Sequence, residues 1–119
     1  MNTRTTGQLG EEEAVRFLQA KGYRILARNV LARGGELDIV ASAHNTLVFV
    51  EVKTRAYSSF GGPLAAVTHA KQQRLGRAAG QYIKENGLKF DSIRFDVICV
   101  LPAGIEHIEN AFSPARTTL

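Results

Sequence analysis

Hydrophobic and polar positions along the chain follow two periods. Apolar residues recur at helical spacing over residues 8–21, where Gly22 supplies a stop, and over residues 63–86, where Pro63 suits the first turn and Gly87 the end. Shorter apolar or alternating runs over residues 23–30, 36–42, 47–54 and 93–101 predict strands, and residues 105–111 predict a last short one. The tail over about 112–119 is predicted to be loose.

This order of elements, αβββαβ with one further strand, predicts a single α/β domain with a mixed central sheet flanked by helices. The segment AHNT joins the second and third strands, and we do not expect it to form a tight two-residue turn. The long helix forms the crossover between strands 47–54 and 93–101, which predicts that these two strands are parallel. The run LVFVEV suits a central strand buried on both faces.

Composition narrows the class of protein. A chain of 119 residues with 45% hydrophobic and 22% charged residues suits one globular domain with a real core. Its single cysteine, Cys99, excludes an internal disulfide and suits a reducing compartment. The N-terminal residues lack the apolar segment of a signal peptide, and no apolar run approaches the ~20 residues that span a bilayer. We therefore expect a cytoplasmic protein without a membrane partner. The net charge of +4 is weak evidence for a nucleic-acid partner.

Three acids interrupt segments that otherwise suit a core. Glu36 and Asp38 share one face of their strand, and Glu51 shares a face with Lys53 and Arg55 on the next strand. If the two strands pair, Asp38 lies beside Glu51, and two close carboxylates in a core repel each other. A Mg²⁺ or Mn²⁺ ion would remove that cost. The alternative is a structural ion pair of Glu51 or Asp38 with Lys53, and the pattern alone does not separate the two.

Two other charged residues lie on apolar helix faces. Glu11 falls on the face that carries Ala14 and Leu18, and Lys71 falls in the apolar stripe of the long helix. Both could face the carboxylate pair, although a lysine in such a stripe can also extend to solvent. Glu12 and Glu13 are interpreted as solvated acids near the helix N-terminus.

Other chemistries find less support in the sequence. The residues His44, His69, His107 and Cys99 show no zinc-binding spacing, and each histidine is expected on the surface or in a loop. Cys99 is expected to be an inert residue of a strand core. The long helix is basic, which suits phosphate contacts; its Lys and Arg residues and those just beyond it are Lys71, Arg74, Arg77, Lys84 and Lys89.

Four short segments together resemble a known family. GE at residues 10–11, GELD at 35–38, FVEVKTR at 49–55 and RFDV at 94–97 look like the YraN-like family of predicted endonucleases. That family belongs to the PD-(D/E)xK nuclease superfamily and is similar to archaeal Holliday junction resolvases. Leu37 stands where the name of the superfamily has a proline. Glu36 matches the smaller family but has no assured role in the larger one.

The resemblance implies a restriction-endonuclease-like fold and a metal-dependent DNA endonuclease that hydrolyses phosphodiester bonds. The catalytic residues would be Glu11, Asp38, Glu51 and Lys53. The three acids would bind Mg²⁺ or Mn²⁺, and Lys53 would orient the attacking water or stabilise the developing negative charge. Selectivity for branched DNA such as Holliday junctions and a homodimer are further implications. Candidates for DNA phosphate contacts are Arg55, Lys71, Arg74 and Arg77.

A second function stays open on the sequence alone. The chain could be a nucleic-acid-binding module that keeps the nuclease fold without cutting, its acids surviving as structural ion pairs. Metal binding distinguishes the two functions, because a nuclease of this type needs Mg²⁺ or Mn²⁺ at the acids and a binding module does not.

Overall fold

The structure, a computed structural model, describes residues 5–32, 34–56 and 67–114. In these ranges the elements are α1 (Thr6–Ala20), β1 (Arg24–Ala32), β2 (Gly35–Ala43), β3 (Thr46–Thr54), α2 (His69–Asn86), β4 (Ser92–Leu101) and β5 (Gly104–Phe112). The five described strands form one sheet in the order β1-β2-β3-β4-β5, in which only β3 and β4 are parallel neighbours. The prediction of a single α/β domain with a mixed central sheet and flanking helices is confirmed.

Each helix covers one face of the sheet. α1 buries Ala14 and Leu18 against a core that includes Val50 of β3, whereas α2 buries Leu75 against a second core that includes Phe49. Successive β3 side chains thus point to opposite cores, which confirms β3 as a central strand buried on both faces. Glu51 follows Val50 in β3, so its side chain points to the face of the sheet that α2 covers.

The helix starts differ from the sequence prediction. α1 begins at Thr6, earlier than predicted, because Thr5 caps it: the Thr5 hydroxyl accepts a hydrogen bond from the Gln8 amide, and the Gln8 side chain accepts one from the Thr5 amide. Glu12 and Glu13 therefore lie beyond the first turn, and their predicted place at the helix N-terminus is wrong.

The long helix is shorter than predicted at its start. Thr68 caps α2 by accepting a hydrogen bond from the Lys71 amide, so residues 67 and 68 precede the helix. Pro63 lies outside the described residues. The predicted stop at Gly87 is confirmed, since Gly87 has the left-handed conformation (φ 59°) that ends many helices.

The turn between β2 and β3 also corrects the sequence prediction. Ala43 pairs with Thr46, so the loop contains only His44 and Asn45. Both have positive φ, 49° and 61°, as a type I′ hairpin turn requires. The prediction that AHNT is not a tight two-residue turn is wrong, because histidine and asparagine can adopt the left-handed region without a glycine.

At the C-terminal end, β5 extends to Phe112, so this residue belongs to the sheet and not to the predicted loose tail. Residues 115–119 of that tail lie outside the described residues. Neither of the two described helices is long and apolar enough to cross a membrane.

Gly10 lets α1 approach the end of β3 closely. A Cβ atom at Gly10 would overlap the Thr54 hydroxyl, whereas one at Gly7 would lie 3.8 Å from the Thr5 hydroxyl, an ordinary contact. We expect Gly10→Ala to lower the free energy of unfolding by about 1–2 kcal/mol, because the clash outweighs the higher helix propensity of alanine. Gly7→Ala is the matched control and should leave stability equal or slightly higher. Urea unfolding of both variants measures this, and equal effects would contradict it.

Candidate functional site

Asp38 and Glu51 lie just beyond the paired part of the β2–β3 hairpin. The antiparallel pairing runs from Ala43 and Thr46 to Ile39 and Val50, and the two acids come next on their strands. The Asp38 side chain reaches across to β3, where its Oδ2 accepts a hydrogen bond from the backbone amide of Val52 at 2.9 Å. The hairpin thus brings Asp38 and Glu51 together, as the alternation of side chains predicts.

Asp38 also falls at an irregularity on its other side. β1 and β2 pair through Arg28 with Ile39 and through Val30 with Leu37, and between them Asn29 has a positive φ of 51°. Asn29 and Asp38 are therefore skipped in the pairing, and Asp38 is free of regular strand partners on both sides. A positive φ at a residue other than glycine is uncommon and is found preferentially at functional sites.

The charge of Asp38 is costly where it lies. Burial and the neighbouring charge of Glu51 raise the pKa of Asp38 from 3.8 to about 7, and the charge of Glu11 acts in the same direction. The Val52 amide and the charge of Lys71 oppose the shift without cancelling it. A carboxylate in this position favours any cation that can bind both acids.

Glu51 is buried and contacts two lysines through a single oxygen. Its Oε1 lies 3.2 Å from the Lys53 ammonium and 2.8 Å from the Lys71 ammonium. The pKa of Lys53 is lowered, mainly because the side chain is buried and secondly because Lys71 lies beside it. Burial alone would lower the pKa of Lys71, but contacts with Glu51 and Lys53 raise it above its usual value. Two ammonium groups thus converge on one side of the carboxylate pair.

Glu11 faces the same region from α1. It is half-buried, and burial raises its pKa; the charge of Arg28 and a hydrogen bond with Asn29 act against this rise, while the charges of Glu36 and Glu51 add to it. Across residues 5–32, 34–56 and 67–114, no group of three or more His, Cys, Asp or Glu side chains could hold a metal ion. The charge of Glu51 raises the pKa of Asp38 more than that of Glu11 does, so the carboxylate pair is Asp38 and Glu51, and the role of Glu11 as a third ligand stays a prediction.

The predicted phosphate-binding residues lie at the end of β3 and on α2. Arg55 directly follows β3. Its backbone amide donates a hydrogen bond to the carbonyl oxygen of Val100 at 3.0 Å, and its guanidinium donates one to the carbonyl oxygen of Thr54 at 3.0 Å. Arg74 and Arg77 are exposed on α2. A Cβ atom at Gly34 would lie 3.7 Å from Arg77 Nε, so these arginines adjoin the β1–β2 turn.

A second polar cluster was missed by the sequence analysis. Asp96 on β4 is fully buried, accepts two hydrogen bonds from Arg94 at 2.8 and 2.9 Å, and lies 2.8 Å from His107 Nε2. Burial alone would raise the pKa of Asp96, but hydrogen bonds with His107, Arg94 and the Asn110 amide lower it. The sequence did contain an indication of this cluster, because IRFDVICVL places one acid in a strongly apolar strand.

This cluster corrects one expectation and clarifies another. His107 was expected on the surface or in a loop, but it lies on β5 with 3% of its side chain exposed. Because Asp96 is level with Val50 on the α1 face of the sheet, the cluster lies on the opposite face from Glu51. We interpret the cluster as a structural one that holds β5 against β4. Cys99 is buried as predicted, and burial raises the pKa of its thiol.

Comparison with known proteins assigns the chain to a family. The family described as "Uncharacterised protein family UPF0102" matches residues 10–100, which include Glu11, Asp38, Glu51, Lys53 and Lys71. The chain belongs to the UPF0102 family.

Several UPF0102 proteins are similar over most of their length. The UPF0102 protein of Pelobacter propionicus is 50% identical over 121 residues, covering 96% of this chain and 86% of the relative. That of Symbiobacterium thermophilum is 50% identical over 100 residues, covering 84% and 85%, respectively. That of Dictyoglomus turgidum is 41% identical over 118 residues, covering 94% of this chain and the whole relative.

Proposed function

We propose that this UPF0102 protein is a metal-dependent DNA endonuclease that hydrolyses phosphodiester bonds. The main support is the pairing of Asp38 with Glu51, together with the 3.2 Å contact between Glu51 and Lys53. Two carboxylates can hold a divalent cation that assists hydrolysis of a phosphodiester, and an adjacent ammonium can stabilise the negative charge that develops. The resemblance of GELD and FVEVKTR to PD-(D/E)xK nucleases points to the same reaction.

The donor atoms fit Mg²⁺ or Mn²⁺. Asp38 and Glu51 offer hard carboxylate oxygens, and burial together with the charge of Glu51 raises the pKa of Asp38 to about 7 even though Lys71 opposes the shift, so a cation bound to both acids would be favoured. Asp38 and Glu51 would hold the cation, with Glu11 as the third candidate ligand. When bound, the cation would neutralise phosphate charge and lower the pKa of an attacking water.

The protein's own cations have separate parts in this proposal. Lys53 stabilises the negative charge that develops on the phosphate, or orients the water, from its position against Glu51. Arg55, Lys71, Arg74 and Arg77 bind phosphates along the backbone of the DNA, which positions the duplex without reading its sequence. Selectivity for branched DNA such as Holliday junctions, and a homodimer that cuts two strands symmetrically, belong to the proposal through the resemblance.

The test is incubation of the protein with linear, nicked and four-way DNA, each with and without Mn²⁺. We expect cleavage that requires Mn²⁺ and that the Glu51→Gln variant lacks. Faster cutting of the four-way substrate would support selectivity for branched DNA. No cleavage of any of the three substrates, with Mn²⁺ bound to the protein, would overturn the endonuclease proposal.

One observation favours a second candidate function, a nucleic-acid-binding module that does not cut. The contact between Lys53 and Glu51 is also the ion pair that a purely structural role predicts. Calorimetry with Mn²⁺ separates the two candidates. A nuclease should bind the ion through Asp38 and Glu51, and a protein that binds DNA but no Mn²⁺ would be the module.

Either function predicts DNA binding that depends strongly on salt. We expect the logarithm of the affinity to fall linearly with the logarithm of the salt concentration, with little sequence preference. Arg77→Ala should reduce this slope by ~0.9, the value for one lost phosphate contact. Arg16→Ala is the control, because Arg16 is exposed on α1, across the sheet from α2. A flat salt response, or equal slopes in both variants, would contradict the assignment of Arg77.

A further inference from the structure

Lys71 is a cation near the N-terminus of α2, where the helix dipole favours negative charge. It lies in the first turn of α2, where its amide donates to the Thr68 cap at 3.2 Å. The positive end of the helix dipole disfavours a cation there, typically by a few tenths of a kcal/mol. Its ammonium is held at 2.8 Å by Glu51 Oε1, closer than that of Lys53 at 3.2 Å. Glu51 is therefore what holds the Lys71 ammonium at this place.

The two lysines differ in their freedom to leave Glu51. The Lys53 side chain is 13% exposed and extends from the same strand as Glu51, two residues away. The Lys71 side chain is 32% exposed and extends from the helix across the site. A four-carbon side chain at the border of the solvent can move its ammonium by several ångströms at little cost. Lys71 is the cation that can be displaced.

We propose that Lys71 and the divalent cation compete for Glu51, and that the ammonium displaced from Glu51 binds a DNA phosphate. This rests on the proposed function, because it takes Asp38 and Glu51 as the metal-binding pair. If Glu51 held the cation, Lys71 would lose its partner carboxylate and would lie beside an added positive charge. Its freed ammonium would then be available to pair with a DNA phosphate bound at the same site. Metal binding and DNA binding are thereby coupled, each strengthening the other.

A different role for Lys71 predicts the opposite effect on the metal. If Lys71 only holds Glu51 in the orientation that binds the ion, its loss disorders the carboxylate and weakens metal binding. If Lys71 competes with the ion, its loss strengthens metal binding. The sign of the change in Mn²⁺ affinity therefore decides between positioning and competition.

The first measurement is calorimetric titration with Mn²⁺ at pH 8, above the pKa of Asp38 at about 7, so that protons compete little with the metal. Lys71→Met keeps the apolar part of the side chain and should bind Mn²⁺ about twofold to fivefold more tightly than the parent, the upper part of the range for release of one partly exposed ion pair. Lys84→Met removes the same charge from the exposed C-terminal end of α2 and should change the affinity by less than about twofold. Unchanged or weaker binding in Lys71→Met would overturn the competition.

The second measurement tests the coupling to DNA. The affinity for a short duplex is measured with and without Mn²⁺ in the Lys53→Ala background, in which slow cutting keeps the DNA intact. Mn²⁺ should strengthen DNA binding in this background, and the further change Lys71→Met should remove most of that gain. An equal gain with and without Lys71 would overturn the coupling.

The outcomes separate this inference from the proposed function. A parent protein that binds Mn²⁺ without cutting DNA would contradict the endonuclease and leave the competition measurable by calorimetry. A parent that binds no Mn²⁺ would contradict both. Mn²⁺ affinity that is unchanged in Lys71→Met, in a protein that does cut DNA, would contradict the competition alone.

Discussion

In EDTA at pH 8, the Asp38→Asn variant is expected to melt about 5–10 °C above the parent protein. The parent must keep a negative charge on Asp38, whose pKa burial and the charge of Glu51 raise to about 7. A shift of this size corresponds to roughly 2–4 kcal/mol of lost stability above pH 7. Asparagine carries no charge, so the cost of burying a carboxylate is absent. Its side-chain oxygen can still accept the hydrogen bond from the Val52 amide.

The pH dependence of the difference follows from the direction of the shift. An acid whose pKa is higher in the folded than in the unfolded protein binds more protons when folded, so stability falls as pH rises from about 4 through 7. Asp38→Asn lacks this fall. The gain in melting temperature should therefore be small at pH 5 and large at pH 8, which thermal melts in a series of buffers would measure.

Metal addition should reverse the order of the two proteins. An ion that binds only the folded state raises the melting temperature, so Mn²⁺ should stabilise the parent and leave Asp38→Asn unchanged. Glu13→Gln is a matched charge control, because Glu13 is exposed on α1, and it should respond to Mn²⁺ like the parent. A variant that melts below the parent at every pH would identify Asp38 as a favourable structural partner and remove it from the metal site.

Lys53→Ala should cut DNA about 10²–10³ times more slowly than the parent, the usual loss when one group that stabilises the transition state is removed. Its affinities for Mn²⁺ and DNA should remain near those of the parent. Its melting temperature should also change little, because Glu51 keeps the Lys71 ammonium at 2.8 Å. Lys53→Arg should restore little activity, since a planar guanidinium does not place a compact charge at the same point.

The structural alternative for Lys53 makes different predictions for the same preparations. If Lys53 serves only as the ion-pair partner of Glu51, Lys53→Ala melts at a lower temperature and the parent does not cut DNA. Melting, DNA affinity and Mn²⁺-dependent cleavage should be measured together. Cleavage by Lys53→Ala at the rate of the parent would show that the lysine of the ExK segment takes no part in the chemistry.

The sequence predicted the parts of the site that depend on strand periodicity. Alternation places Glu51 and Lys53 on one face, and pairing of adjacent strands brings Asp38 beside Glu51; both follow from a period of two. Helical periodicity likewise placed Lys71 on the side of α2 that meets the sheet. These relations survive small errors in element boundaries, so the late start of α2 did not disturb them.

Other features depended on geometry that periodicity does not encode. The positive φ of Asn29 and the skipped pairing at Asp38 arise where β1, β2 and α1 meet, and no local pattern predicts such an irregularity. The pairing of Asp96 with His107 depends on the register of β4 and β5, which shifts between Phe95 and Val97. A shift of one residue changes which side chains face each other, so sequence spacing could not identify this pair.

The two-residue turn at His44 and Asn45 has a consequence for the order in which the chain folds. It joins Asp38 and Glu51 within one local hairpin, and hairpins of this kind form in ~1–10 μs. Lys71 reaches Glu51 only when the crossover has closed and β3 has paired with β4, which are slower, non-local events. Glu51 therefore has only Lys53 of its own strand as a counter-charge when the hairpin forms, and its second counter-charge, Lys71, arrives in the slower step.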